Sequence, residues 1–148
     1  MNQGEANLDQ LLANMDPKLD PDIYVFTTLP PSQTESIPLD LLQPRMVFHE
    51  VEGRTLIITM EQAQKYNLLP DQPYPCRCIT LNVHSSLDAV GFLARISTHL
   101  ATTMDLSVNV VSAYYHDHLF VPADRVQDAM TGLRQLIQTY QEKISIPC

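Results

Sequence analysis

The chain has 148 residues, 45% of them hydrophobic, which suits one compact domain or two very small ones and excludes a disordered chain. Nine basic against seventeen acidic residues leave a net charge of −8, a field that repels polyanions, so no nucleic-acid partner is expected. Three cysteines, no basic and then apolar leader, and no run of roughly 18 apolar residues give the expectation of a cytoplasmic protein with no membrane partner.

Leu8, Leu11, Leu12 and Met15 recur at helical spacing before Pro17, which predicts a short N-terminal helix within residues 1–18. Asp22 to Thr28 reads as a strand around Tyr24-Val25-Phe26. Four prolines between Pro30 and Pro44 forbid a long helix there. Met46 to Val51 and Arg54 to Thr59 are predicted as two strands joined at Glu52-Gly53. Thr59-Met60-Glu61-Gln62 has capping-box character and opens a short helix to about Tyr66. Pro70, Pro73 and Pro75 mark a second linker.

Arg77 to His84 alternates as a strand. Ser85-Ser86-Leu87-Asp88 reads as the cap of a helix to about Thr103, with Val90, Leu93, Ala94, Ser97, Leu100, Ala101 and Met104 along one face. Ser107 to Tyr115 is predicted as a strand with one of Tyr114 and Tyr115 packed inside, His116-Asp117 as a turn, and His118 to Val121 as the returning strand. Asp124 is placed to cap a last helix whose stripe is Val126, Ala129, Met130, Leu133, Leu136, Ile137 and Tyr140. The order β-α-β-β-α is most of a ferredoxin-like unit, an α+β fold with an antiparallel sheet. At an offset of 63 residues, Leu56 to Gln64 lies over Leu119 to Gln127, each a returning strand followed by a cap and a helix start. The expected organisation is the N-terminal helix (1–18), a diminished first unit (19–75) whose first helix is replaced by the proline linker, and a fuller second unit (76–148).

Ser85 to Ala94, Leu106 to Ser112 and Tyr114 to Pro122 resemble a bacterial family of small proteins that carry ACT-like units in tandem. Gly91-Phe92-Leu93-Ala94 and the strand ending at Ser112 are also similar to the regulatory ACT domains of aspartate kinases. Asp105 departs from the family pattern, which more often has glycine at that turn; Asp tolerates a left-handed backbone better than most residues. The resemblance implies a regulatory module that binds a small effector, an amino acid, and signals to a partner enzyme that this sequence does not contain.

The first N–H groups of a helix lack intrahelical acceptors, so the turn His84-Ser85-Ser86 and the helix start after it suit a carboxylate, with Asp88 available to an ammonium group. Gly91 permits close approach. The resemblance places the ligand against Asn109, Val110, Val111 and Ser112, so the expected ligand-binding residues run from His84 through Ser85, Ser86, Leu87, Asp88, Gly91 and Phe92 to that strand. The competing reading makes Ser85 a plain N-cap and Asp88 its capping-box partner. His116-Asp117-His118 has two potential metal ligands on one strand face but no assignable third, and the expectation is a solvated hairpin tip and no metal. Cys76-x-Cys78 lacks a second pair of thiols. No nucleophile elbow, phosphate loop or zinc-hydrolase motif is present, and four glycines cannot write a dinucleotide fingerprint, so neither catalysis nor a cofactor is expected. A homodimer is expected, because short sheet edges need cover. The alternative function is a protein-interaction or oligomerisation module without a small ligand.

Overall fold

The computed structural model describes residues 4–147. The chain divides into two compact units: Pro21 to Cys76 forms the first, and the residues up to Asp20 together with those from Arg77 onward form the second. Among the described residues no helix is long and apolar enough to cross a membrane.

In the first unit, strand β1 (Lys18–Leu29, entering from the second unit) pairs antiparallel with β3 (Arg54–Thr59), and β2 (Met46–His49) pairs with β3 on its other side. Alternation puts Val25, Leu29, Leu56 and Ile58 on one sheet face, where they meet Leu42, Ala63 and Leu68 in a core of their own. The proline linker is not structureless. It holds a 3-10 turn at Pro31–Gln33 and one helical turn, α2 (Leu39–Leu42), which ends on left-handed Gln43. Helix α3 (Met60–Lys65) starts as expected, with the Thr59 side chain accepting from the Gln62 amide.

In the second unit the strand order is β4 (Cys76–Thr80), β6 (Asp117–Pro122), β5 (Asn109–Ser112). Helix α4 (Phe92–Met104), helix α5 (Val126–Ser145) and the N-terminal helix α1 (Leu8–Ala13, capped by Asn7) cover one face. Their core joins Leu11, Leu12, Ile79, Leu119, Leu133 and Leu136 among others. The α5 stripe is as expected, with Gly132 added to it. Asp105 adopts the left-handed turn (φ 49°) that ends α4, and Arg125 Nη2 donates to the freed Met104 carbonyl at 2.8 Å.

The repeat holds at the level of register. β5 and β6 occupy the positions of β2 and β3 displaced by 63 residues, and every pair corresponds: Met46–Ile57 with Asn109–Phe120, and so on to His49–Arg54 with Ser112–Asp117. The first unit is the diminished copy, with four residues of α2 where the second has the thirteen of α4.

Several expectations are corrected. Helix α4 begins at Phe92, not at Ser86, because Gly91 takes φ 88° and breaks the run. Its buried line is Phe92, Ile96 and Leu100, while Val90 lies before the helix and is 87% exposed. Ser107 and Val108 precede β5, and Tyr114 and Tyr115 sit in the turn after it, both exposed. Asp117 is not in the turn but is the buried first residue of β6. β4 stops at Thr80, four residues short of His84. Asp124 falls in a 3-10 turn (Ala123–Arg125), and α5 has no side-chain cap.

Candidate functional site

The second unit holds a cavity of about 200 Å³ where the start of α4 meets the β5–β6 hairpin. It is lined by Ser85, Ser86 and Leu87 of the loop before α4, by Gly91 to Ala94 at the helix start, and by Ser112 and Asp117 of the hairpin. Drug-sized sites begin at roughly 300 Å³, so this one suits a small metabolite.

The loop before α4 shapes the cavity. Ser85 and Ser86 do not cap the helix. Ser85 Oγ donates to Asp117 Oδ2 at 2.9 Å, Ser86 Oγ accepts from the Asp88 amide, and the Ala89 amide donates to the Ser86 carbonyl to close a turn. From outside, the N-terminal segment pins this loop: the Glu5 amide donates to the His84 carbonyl, and the Ser86 amide donates to the Glu5 carbonyl. Gly4 is required for that approach, since a Cβ there would lie 2.6 Å from the His84 carbonyl oxygen.

Two electrostatic features meet in the lining of the cavity. Gly91 caps α4 without a side-chain acceptor, and its carbonyl takes the Arg95 amide at 2.9 Å. The amides of Phe92, Leu93 and Ala94 therefore have no intrahelical acceptor, at the positive end of a thirteen-residue helix. Those three residues line the cavity. Asp117, 6% exposed, lines the same cavity. It shares a strand face with core residues Leu119 and Val121, which explains how an acid comes to sit at the edge of an apolar layer.

Of the expected site residues, Ser85, Ser86, Leu87, Gly91, Phe92 and Ser112 line this cavity. His84 stands beside it, its ring 5.8 Å from that of Tyr115, which is in turn 4.9 Å from Tyr114. Asp88 is exposed in the loop, and Asn109, Val110 and Val111 lie along β5 without lining the cavity. Ala89, Leu93, Ala94 and Asp117 are the lining residues that sequence reasoning passed over. The sequence reading makes Asp117 the turn residue of a solvated hairpin tip, whereas it is the buried first residue of β6.

A larger cavity of about 420 Å³ in the first unit, lined by Phe26, Thr28, Thr55, Asn67 and Leu69 among others, is open to solvent and carries no charged side chain. His118 Nδ1 lies 2.8 Å from Thr80 Oγ1, and among the described residues no three His, Cys, Asp or Glu side chains group as metal ligands. Cys76 and Cys78 are buried; Cys76 donates to the Tyr74 carbonyl, and burial pushes its thiol up to about 11. Cys148 lies outside the described residues.

Residues 3–77 match one ACT domain family and residues 74–135 match a second. The chain belongs to the ACT domain family. No curated protein matches it. Its structure is similar to that of a Vibrio cholerae protein of unknown function described as a possible transport protein, with 37% identity and TM-score 0.75 over 88% of this chain and 96% of that one. The ACT fold is shared with the ligand-free regulatory subunit of Thermus thermophilus aspartate kinase, at 11% identity and TM-score 0.56 over 82% of this chain and 97% of that one. It is also shared with Clostridium acetobutylicum aspartate kinase, at 10% identity and TM-score 0.58 over 84% of this chain and 34% of that one.

Proposed function

We propose that this ACT protein is a non-catalytic regulatory module whose second unit binds a free α-amino acid. The observation that carries the reading is the mixed polarity of the cavity lining: the amides of Phe92 to Ala94, which lack intrahelical acceptors, and the buried acid Asp117. An α-amino acid is a zwitterion whose charges lie a few ångströms apart. Its carboxylate would take the helix amides and its ammonium Asp117, with the Ser85 hydroxyl holding the acid in place. A plain carboxylic acid would meet Asp117 unfavourably, and a plain amine would leave the amides unanswered. Membership of the ACT family supports the regulatory part of the reading.

The test is a thermal-unfolding screen against the twenty amino acids. A ligand that binds only the folded state raises the midpoint, by about 2.7 kcal/mol of stability at a hundredfold excess over Kd. At least one amino acid is expected to do so, and Asp117→Asn is expected to abolish the shift while remaining folded. No shift with any amino acid would refute the proposal.

A second reading, an interaction module, is favoured by exposed apolar side chains of the second unit: Leu87, which lines the cavity, with Val90, Tyr114 and Tyr115, at 74%, 87%, 58% and 63% exposed. We propose that such an interface is a homodimer through β5, the outermost strand of its unit, whose residues are mostly exposed.

A further inference from the structure

The register repeat allows the two hairpins to be compared residue by residue, and a single position reverses charge. Where the second unit has Asp117, the first has Arg54; where Ser112 stands opposite Asp117, His49 stands opposite Arg54. Arg54 shares its sheet face with the core residues Leu56 and Ile58, as Asp117 does with Leu119 and Val121.

Unlike Asp117, Arg54 is unanswered. Its Nε is buried and has no hydrogen-bond partner, and among the described residues no carboxylate pairs with its guanidinium. The imbalance is notable in a chain with seventeen acids and only nine bases. Two acids are close in sequence. Glu50 accepts from the Thr55 hydroxyl, and Thr55 points to the sheet face opposite Arg54. Glu52 is in the exposed turn. A shielded donor on a permanent cation is costly unless something accepts from it, and a guanidinium offers a planar fork that matches an oxyanion.

We infer that the Arg54–His49 corner of the first unit is an oxyanion site for a carboxylate or phosphate group. Arg54 supplies the fork, and the exposed His49 adds a donor at the paired register position. The tandem then carries two sites of opposite polarity at equivalent places. This inference goes beyond the amino-acid reading and stands without it, because it needs neither the second-unit cavity nor Asp117.

The test is an NMR titration of the full chain labelled with 15N at arginine Nε, using inorganic phosphate, succinate, and sodium chloride at matched ionic strength. The other five arginines serve as internal references. The Arg54 Nε–H signal is expected to move saturably with phosphate or succinate and not with chloride. The tighter of the two tells whether the natural ligand is a phosphate or a carboxylate. Arg54→Lys, which keeps the charge and loses the fork, is expected to bind about tenfold more weakly. An Arg54 signal unmoved by both anions, or moved equally by chloride, overturns the site whether or not the variant folds; so does undiminished anion binding by a folded Arg54→Lys.

Discussion

Asp117 is a buried acid that accepts a hydrogen bond from the Ser85 hydroxyl. Ser85→Ala removes that donor but leaves the helix amides in place, so about 1 kcal/mol of stability and a modest part of effector binding are expected to go. Gly91 matters more, for a reason different from the one its sequence position suggests. It is not inside α4 but caps it at φ 88°, where a side chain is strained whatever space surrounds it. Gly91→Val is expected to lower stability by at least about 1 kcal/mol, and to weaken effector binding more than Ser85→Ala does, because the strain reaches the three amides that line the cavity. Calorimetry on both variants checks the order. Cys76 illustrates a third consequence of burial. Its thiol stays protonated to about 11 in the folded chain, above its ordinary value near 9. The folded state therefore holds the proton more tightly. The associated stability is fully present below about pH 9 and is lost as pH rises toward about 11. At neutral pH, labelling of Cys76 by a thiol reagent is expected to follow opening of the fold rather than thiol ionisation. Fast labelling of Cys76 in the native protein would contradict this.

At the scale of elements, the N-terminal segment is joined to the wall of the cavity by the Glu5 pairing with His84 and Ser86. Gly4→Ala would drive a Cβ into fixed backbone, not into a yielding side chain. It is expected to cost about 1–3 kcal/mol, a fall of roughly 2–4 °C in Tm for each kcal/mol in a chain of this size. An unchanged Tm would mean that the segment does not hold the loop. The elements themselves were readable where periodicity and caps agreed. The β2–β3 hairpin, α3 with its Thr59 cap and the α5 stripe all follow from pattern, and the 63-residue echo extends through the whole hairpin register. The candidate site was legible only in part, because the serine-rich start of the predicted helix could satisfy its own backbone in two ways. Ser85 and Ser86 make a turn and a bond to Asp117, and a left-handed glycine starts the helix six residues after Ser85. No local signal distinguishes a capping box from that turn. Placing Asp117 in the loop, two residues from Tyr115, shifted the hairpin tip and hid the buried acid that lines the cavity.

For the whole molecule, the two units use one hairpin design with opposite charge at the same place, Asp117 in one and Arg54 in the other. The β5 edge is the proposed pairing surface, and light scattering at micromolar concentration is expected to give twice the monomer mass. Val110→Lys, a charge on the exposed edge, is expected to return the monomer without changing the fold. A monomeric wild type would remove the edge from consideration. The amino-acid reading is tested most directly by calorimetric titration of the best amino acid from the thermal screen, beside its analogue lacking the amino group, into wild type and Asp117→Asn. Saturable binding of the amino acid to wild type alone, with the analogue at least about tenfold weaker, is the expected result. Equal binding of the analogue, or an Asp117→Asn protein that binds as tightly as wild type, would contradict recognition of a zwitterion between Asp117 and the start of α4.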